Sequence, residues 1–357
     1  MDIAVTAQKN IFNQERKMIN QKGNSMLSGA GAYLPKTVVS SEELMREAKS
    51  DAIGVRFEFL ERSTGIKERR VALQDDNYAT LAYKASRKAI ADAGIEPTDI
   101  DGVIYCGIDT EYPEPSTAHE IQGMLGAHNA ACLDISNACL GLLNGVSIAD
   151  LYIGSGAAEN ILVCTGEKPS VVTYDVIKQL KGDRSKENFR RLLGAFTVGD
   201  AGGAFVVTKS GGGPKLDVMR FKTNSRHADL CYAKQQDGYI EFEMNMETIS
   251  RAMIAEHEEM MPGTYASLGW GSEQIGALYC HQVGARPHRK MAQMASVPIN
   301  KAPITYDYYG NLTSATFAVN YDANRPKKND KILFLGAGSG LSICQIGLDF
   351  SAVPRTS

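Results

Sequence analysis

A cysteine, a histidine and an asparagine, each placed at a strand end or a helix start, carry the most suggestive chemistry in this sequence. Cys139 follows the apolar residues Ala131, Cys132, Leu133 and Ile135 and the polar pair Ser136-Asn137. A helical pattern then begins, with Leu142, Leu143, Val146, Ala149 and Ile153 on one stripe. A thiol at such a strand-to-helix junction lies near free first-turn N–H groups, which favour the nucleophilic thiolate. The plainer reading is a buried cysteine acting as a small hydrophobe. His281 directly follows the strand-like run Ala277 to Cys280, and Asn311 lies in Tyr308 to Ala315, a loop entering a helix. Such a set fits thioester chemistry. The thiolate takes an acyl group, while His Nε2–H and the Asn amide hold a second thioester's oxygen as it gains enolate charge. Gly336-Ala-Gly-Ser-Gly340 begins like a dinucleotide fingerprint, but a strand-like Ser342 to Ile346 follows where a helix would have to receive the phosphates. A tight turn offering an N–H to an oxyanion suits it better.

The elements that must position these residues follow from the pattern. The chain has 357 residues and a net charge of -3, enough for a large core and without the basic surface of a nucleic-acid binder. Its seven cysteines form no CxxC pair or zinc spacing, which points to reduced thiols in a cytoplasmic protein, and the histidines suggest no metal site. No run is long enough to span a membrane. Residues 1–24 read as a flexible leader or short appended helix. Ser40 to Glu43 forms a capping box, and Leu81, Ala82, Ala85 and Ala89 mark a buried helical face. Residues 172–193 are a polar insertion, read as a solvated face. Ser210 to Pro214 separates a first half, 25–210, from a second, 211–357. The halves echo each other: Ile100 to Cys106 is similar to Ile275 to Cys280, and Asn311 follows Cys280 at nearly the spacing at which Cys139 follows Cys106. That suggests a duplicated α/β unit, with Cys139 and Asn311 at equivalent helix starts beside one crevice.

These residues resemble the thiolase superfamily, and within it the β-ketoacyl-acyl-carrier-protein synthase III branch. The resemblance runs from about Ser25 to Phe350 through Gly31-Ala-Tyr-Leu-Pro35, Thr64-Gly-Ile-Lys-Glu-Arg69, Pro115 to Gln122, Asn137-Ala-Cys-Leu-Gly141, Gly199-Asp200, His281-Gln282, Gly310-Asn311, Ser314-Ala315 and Gly336-Ala-Gly338. It implies an α/β thiolase fold, a five-layered αβαβα double domain of two duplicated halves. It also implies a homodimer, or a heterodimer, that uses acyl thioesters and an acyl carrier protein without a cofactor. Cys139 would carry the acyl group, His281 and Asn311 would stabilise the enolate, and the N–H groups of Cys139 and Gly338 would form the oxyanion hole. Departures fall on the substrate side. Phe59 stands where the family has a tryptophan for the adenine of coenzyme A, and Ser63 replaces a basic residue beside Arg62. Gly284 replaces an asparagine on the pantetheine arm, which weakens the case for a CoA-linked primer. Arg286, with Arg289 and Lys290, would dock the carrier protein. Glu114 stands where a partner-subunit aromatic closes the acyl pocket, so that end is expected to be altered, polar or open, unless Glu114 simply turns to solvent. The implied reaction is decarboxylative Claisen condensation with a malonyl-type thioester, in a specialised fatty-acid or polyketide pathway. The alternatives are acyl transfer to an alcohol or amine, and a non-catalytic heterodimer partner.

Overall fold

The computed structural model describes residues 18–182 and 185–350. The first half runs β1 (Ile19–Lys22), β2 (Met26–Tyr33), β3 (Thr37–Ser40), α1 (Ser41–Glu47), α2 (Phe59–Thr64), β4 (Glu68–Val71), α3 (Tyr78–Ala93), β5 (Gly102–Tyr105), α4 (Thr117–Leu125), β6 (Ala131–Asp134), α5 (Gly141–Gly154), β7 (Asn160–Glu167), α6 (Ser170–Gly182), α7 (Lys186–Leu192) and β8 (Ala201–Thr208). The second holds β9 (Lys215–Thr223), β10 (Cys231–Gln236), β11 (Tyr239–Met244), α8 (Met246–Leu268), β12 (Ile275–Cys280), α9 (Ala285–Met294), α10 (Tyr306–Tyr309), α11 (Thr316–Ala323), β13 (Lys331–Gly338) and β14 (Ser342–Asp349).

Duplication is visible strand by strand. One sheet is ordered β6-β5-β7-β8-β2 and the other β12-β13-β14-β9, with β1 added on β9. The pairs β5/β7 and β12/β13 are parallel; β7/β8, β8/β2, β13/β14 and β14/β9 are antiparallel. The sheets join only where Met26 of β2 meets Lys215 of β9. Helices then fill three layers. α5 and α11 lie between the sheets, where Leu142, Val146, Phe317 and Tyr321 pack with Phe205 and Phe334. α3 and α4 cover one outer face through Ala82, Ala85 and Ile121, and α8 and α9 cover the other through Met253, Met260 and Met291. Each large apolar side chain buried this way contributes about 1.5–3 kcal/mol before cavity effects.

The alanine stripe of α3 has a steric reason. A Cβ at Gly31 of β2 or Gly202 of β8 would meet the Ala85 carbonyl at 2.3 Å or the Leu81 carbonyl at 2.0 Å. Small residues on both sides therefore let helix and sheet meet at backbone distance. Asn77 caps this helix by accepting from the Thr80 N–H at 2.7 Å, and Gly94 ends it at φ 69°.

Two expectations need correction. Residues 1–17 of the expected leader lie outside the described residues, but Ile19 to Lys22 form β1, paired from Ile19↔Phe221 to Lys22↔Val218. Asp150 holds this segment by accepting from the Asn24 and Ser25 N–H groups. The polar insertion is not merely a solvated face. α6 and α7 bury Val176, Ile177, Leu180, Phe189 and Leu192 against Leu44, Leu60 and Phe242, forming a lobe beside the site. After β9 comes the hairpin β10–β11, in register from Cys231↔Met244 to Gln236↔Tyr239.

Candidate active site

The Cys139 turn is built by close packing. After β6, the backbone passes through Ala138 at φ 47° into a 3-10 turn, Ala138–Leu140, and then α5. That left-handed position is costly for alanine, by about 1–3 kcal/mol, so the surroundings must hold it. Asn137 accepts from the Leu140 N–H through its carbonyl at 3.0 Å, and its side-chain amide donates to Asn144 Oδ1 at 2.9 Å. Gly141 leaves no room for a side chain, because a Cβ would sit 2.4 Å from the Cys106 carbonyl. Across the molecule, Ser314 Oγ accepts from the Leu142 N–H at 2.7 Å. Burial pushes the Cys139 thiol well above its usual range, with Cys231 and Glu167 adding to the shift. The expected stabilisation of a thiolate by the helix start is therefore outweighed by desolvation. A neighbouring base would have to take the thiol proton for Cys139 to act as a nucleophile.

His281 continues the ladder of β12, its N–H donating to the Leu335 carbonyl at 2.9 Å. Its ring is buried, Nδ1 has no hydrogen-bond partner, and burial lowers its pKa to about 4. At neutral pH it is an uncharged imidazole, able to accept a proton or donate a hydrogen bond. Gln282 anchors the segment: Oε1 accepts from the Thr305 and Tyr306 N–H groups at 2.8 and 3.0 Å, and Nε2 donates to the Pro303 carbonyl. Asn311 is pinned through its backbone to Thr197 and Gly199. Its Oδ1 accepts from the Thr313 N–H at 2.9 Å, which fixes the amide and leaves Nδ2 as the group free to donate elsewhere.

Cys139, His281, Asn311 and Gly338 line one cavity, as the sequence reading required. The rest of the wall is mostly apolar: Met244, Met246, Ile249, Met253, Val283 and Leu341 among others. A second chamber also reaches Cys139 and Asn311, and its wall is more polar, with Tyr78, Asp109, Glu167 and Lys168. Burial raises the Glu167 carboxyl to about 8. Sequence reasoning passed over Glu167 and Cys231, which lines both cavities. A carboxylate closing the apolar strand β7 was the available signal for the first; the second offered none.

The remaining expected residues fall elsewhere. Phe59 and Arg62 line a separate surface cavity with Arg56 of the preceding loop and Lys186 and Arg190 of α7. Gly284 is absent from the cavity walls. It sits at φ 136°, and a Cβ there would lie 2.9 Å from the Thr64 carbonyl, so its role is to let α2 approach the His281 loop. Glu114 is exposed on its loop and lines neither cavity of its own chain. Arg286, Arg289 and Lys290 are exposed together on α9. Among the described residues, no helix is long and apolar enough to cross a membrane.

This arrangement is that of a thiolase-fold acyltransferase, with Cys139 at the junction of two duplicated halves. The chain belongs to the 3-oxoacyl-[acyl-carrier-protein (ACP)] synthase III family: the family pattern matches residues 133–226, and its C-terminal part matches 265–348. It is 30% identical over 336 residues to an acyl-CoA:acyl-CoA alkyltransferase of Shewanella oneidensis, covering 88% of this chain and 95% of that protein. It is equally similar, 30% over 326 residues, to a β-ketoacyl-[acyl-carrier-protein] synthase III of Listeria innocua, covering 89% and 96%. Among solved structures, cerulenin-bound OleA of Xanthomonas campestris superposes with a TM-score of 0.84 at 25% identity, covering 92% of this chain and 97% of that one.

Proposed function

We propose that the protein joins two acyl thioesters by Claisen condensation, with Cys139 holding the first acyl group. The observation that carries this reading is the single, mostly apolar cavity shared by Cys139, His281, Asn311 and Gly338. In the first half-reaction the Cys139 sulfur attacks the acyl carbonyl, His281 takes the thiol proton, and the donor thiol leaves with it. The N–H groups of Cys139 and Gly338 hold the oxyanion. In the second, the Nε2–H of His281 and the Nδ2 of Asn311 hold the enolate oxygen of the incoming thioester. Its α-carbon attacks the Cys139 thioester, Cys139 is expelled and reprotonated, and a β-ketoacyl thioester results.

Two features favour CoA-linked substrates and a proton-abstracting route. The exposed Phe59 face, with Arg56, Arg62, Lys186 and Arg190 around it, suits an adenine and the phosphates of coenzyme A. The Shewanella relative is named for a reaction between two acyl-CoAs. Without a carboxyl group to lose, the second substrate needs a base at its α-carbon. In a homodimer, Glu114 of one subunit reaching the acyl pocket of the other would supply it. The exposed trio Arg286, Arg289 and Lys290 favours a second reading, in which a malonyl group on an acyl carrier protein loses carbon dioxide to give the enolate.

The test is to offer the enzyme a long-chain acyl-CoA alone, or with malonyl-carrier protein, and follow free CoA, carbon dioxide and product mass. A β-ketoacyl product from acyl-CoA alone, lost in Glu114→Gln while Cys139 still acylates, is the expected result. Carbon dioxide release with condensation only in the presence of the malonyl donor would transfer the assignment to the second reading. Acylated Cys139 that condenses with neither, yet transfers to an alcohol or amine, would overturn both.

A further inference from the structure

The buried acid Glu167 has no part in the mechanism above, yet it sits where that mechanism is most sensitive to geometry. It closes β7, is 2% exposed, and lines the chamber that also contains Cys139, Asn311 and Thr313. Thr165 donates to its Oε1 at 2.5 Å. The Thr313 hydroxyl, which also donates to the Leu312 carbonyl at 2.8 Å, and the Ile108 N–H lie beside the same carboxyl and oppose the rise that burial causes. Thr313 is in turn the residue that fixes Asn311. It is held at φ 50°, and its N–H donates to Asn311 Oδ1 at 2.9 Å. A left-handed threonine is strained, and a β-branched side chain there needs a definite partner to keep it in place.

We propose that Glu167 is a positioning residue for Asn311, acting through Thr313 to keep the amide Nδ2 turned toward the enolate oxygen. The chain of contacts is continuous: Glu167 carboxyl to Thr313 hydroxyl, Thr313 N–H to Asn311 Oδ1, Asn311 Nδ2 to substrate. Through Ile108 the same carboxyl also secures the start of the loop that carries Glu114. The proposal rests on the assignment of Asn311 to enolate stabilisation, and its consequence is specific to the second half-reaction. Acylation of Cys139 uses the cysteine turn, Gly338 and His281, none of which Glu167 is bonded to.

The experiment separates the half-reactions in the full-length enzyme as purified. Pre-steady-state acylation of Cys139 by a long-chain acyl-CoA is followed by mass spectrometry, and condensation by product formation. Glu167→Leu should leave acylation within about threefold of the parent and slow condensation at least tenfold. Asn311→Ala should do the same, and the double variant should be no slower than Asn311→Ala alone, because both changes remove one function. Glu167→Gln, which keeps a neutral acceptor at the same reach, should recover part of the rate. Equal loss of both half-reactions in Glu167→Leu, or multiplicative effects in the double variant, would overturn the proposal. If Asn311→Ala itself leaves condensation intact, the underlying assignment of Asn311 fails instead.

Discussion

The two halves bring the same turn to the centre of the molecule and put it to different uses. In the first half Ala138 at φ 47° opens a 3-10 turn before α5; in the second Thr313 at φ 50° opens a 3-10 turn before α11. Superimposing the turns sets Cys139 against Ser314, not against Asn311. The first half turns its central side chain into the cavity as a nucleophile. The second turns the equivalent hydroxyl to the start of α5, where it accepts from the Leu142 N–H. Duplication thus supplied two facing helix starts, one of which became the reactive site and the other the brace that holds it.

The sharpest way to break this comparison is to exchange the two residues. Cys139→Ser should abolish the stable acyl adduct and lower condensation by at least ~10³-fold, as expected when a nucleophile acting with a base is lost. Adding Ser314→Cys to that variant should restore neither, because the side chain at 314 is fully buried and faces α5. Mass spectrometry after incubation with acyl-CoA decides it; an acyl adduct at position 314 would show that the two turns are interchangeable. The next effect belongs to the second half alone. His281→Ala removes a donor to the developing enolate and should cost condensation ~10²–10³-fold. The loss should persist when Cys139 is supplied already acylated. Smaller again is the brace. Ser314→Ala leaves the buried Leu142 N–H unpaired and should cost about 1–3 kcal/mol, read as a lower urea midpoint at unchanged m-value.

Legibility in the sequence followed the same division. Strands and helices that alternate along the chain could be read because burial on one face or both writes a period into the residues, as in the α3 stripe or the run before Cys139. The echo between Cys106 and Cys280 located the right pair of strands, β5 and β12, for the same reason. It missed the register of the turns by three residues, because a left-handed alanine and a left-handed threonine have no signature in sequence. The lobe of α6 and α7 was hidden by its charges: Lys186 and Arg190 dominate the composition, while Phe189 and Leu192 do the packing. Gly284 reads in the sequence as a lost substrate contact, whereas the backbone of Thr64, 220 residues away in the chain, leaves no room there for a side chain. Glu167 escaped because its meaning depends on Thr313 and Ile108, which reach it only in the folded chain.

The halves also differ in the titratable groups they bury, and this gives the finest test. The second half buries His281, lowered to about 4, and His257, lowered to about 3, both by desolvation. The first buries Glu167, raised to about 8, and Asp200, raised to about 6, again chiefly by desolvation. Below about pH 6.5 the unfolded histidines bind protons that the folded ones refuse, so the second half loses stability as pH falls. The acids work in the opposite direction, since the folded carboxyls keep protons that the unfolded chain has released, and the first half loses stability as pH rises. Between pH 6.5 and 8 the unfolded histidines release the last of their protons, which slightly raises stability, and Asp200 is largely ionised in both states, so any loss of stability across the interval belongs to Glu167. Stability should therefore decline across that interval by up to about 2 kcal/mol, a shift of a few degrees in Tm. In Glu167→Gln the decline should vanish, whatever the variant's absolute Tm, because glutamine does not titrate. Scanning calorimetry at pH 6.5, 7.2 and 8.0 measures it, and an equal slope in parent and variant would mean that Glu167 is already ionised in the folded protein at neutral pH.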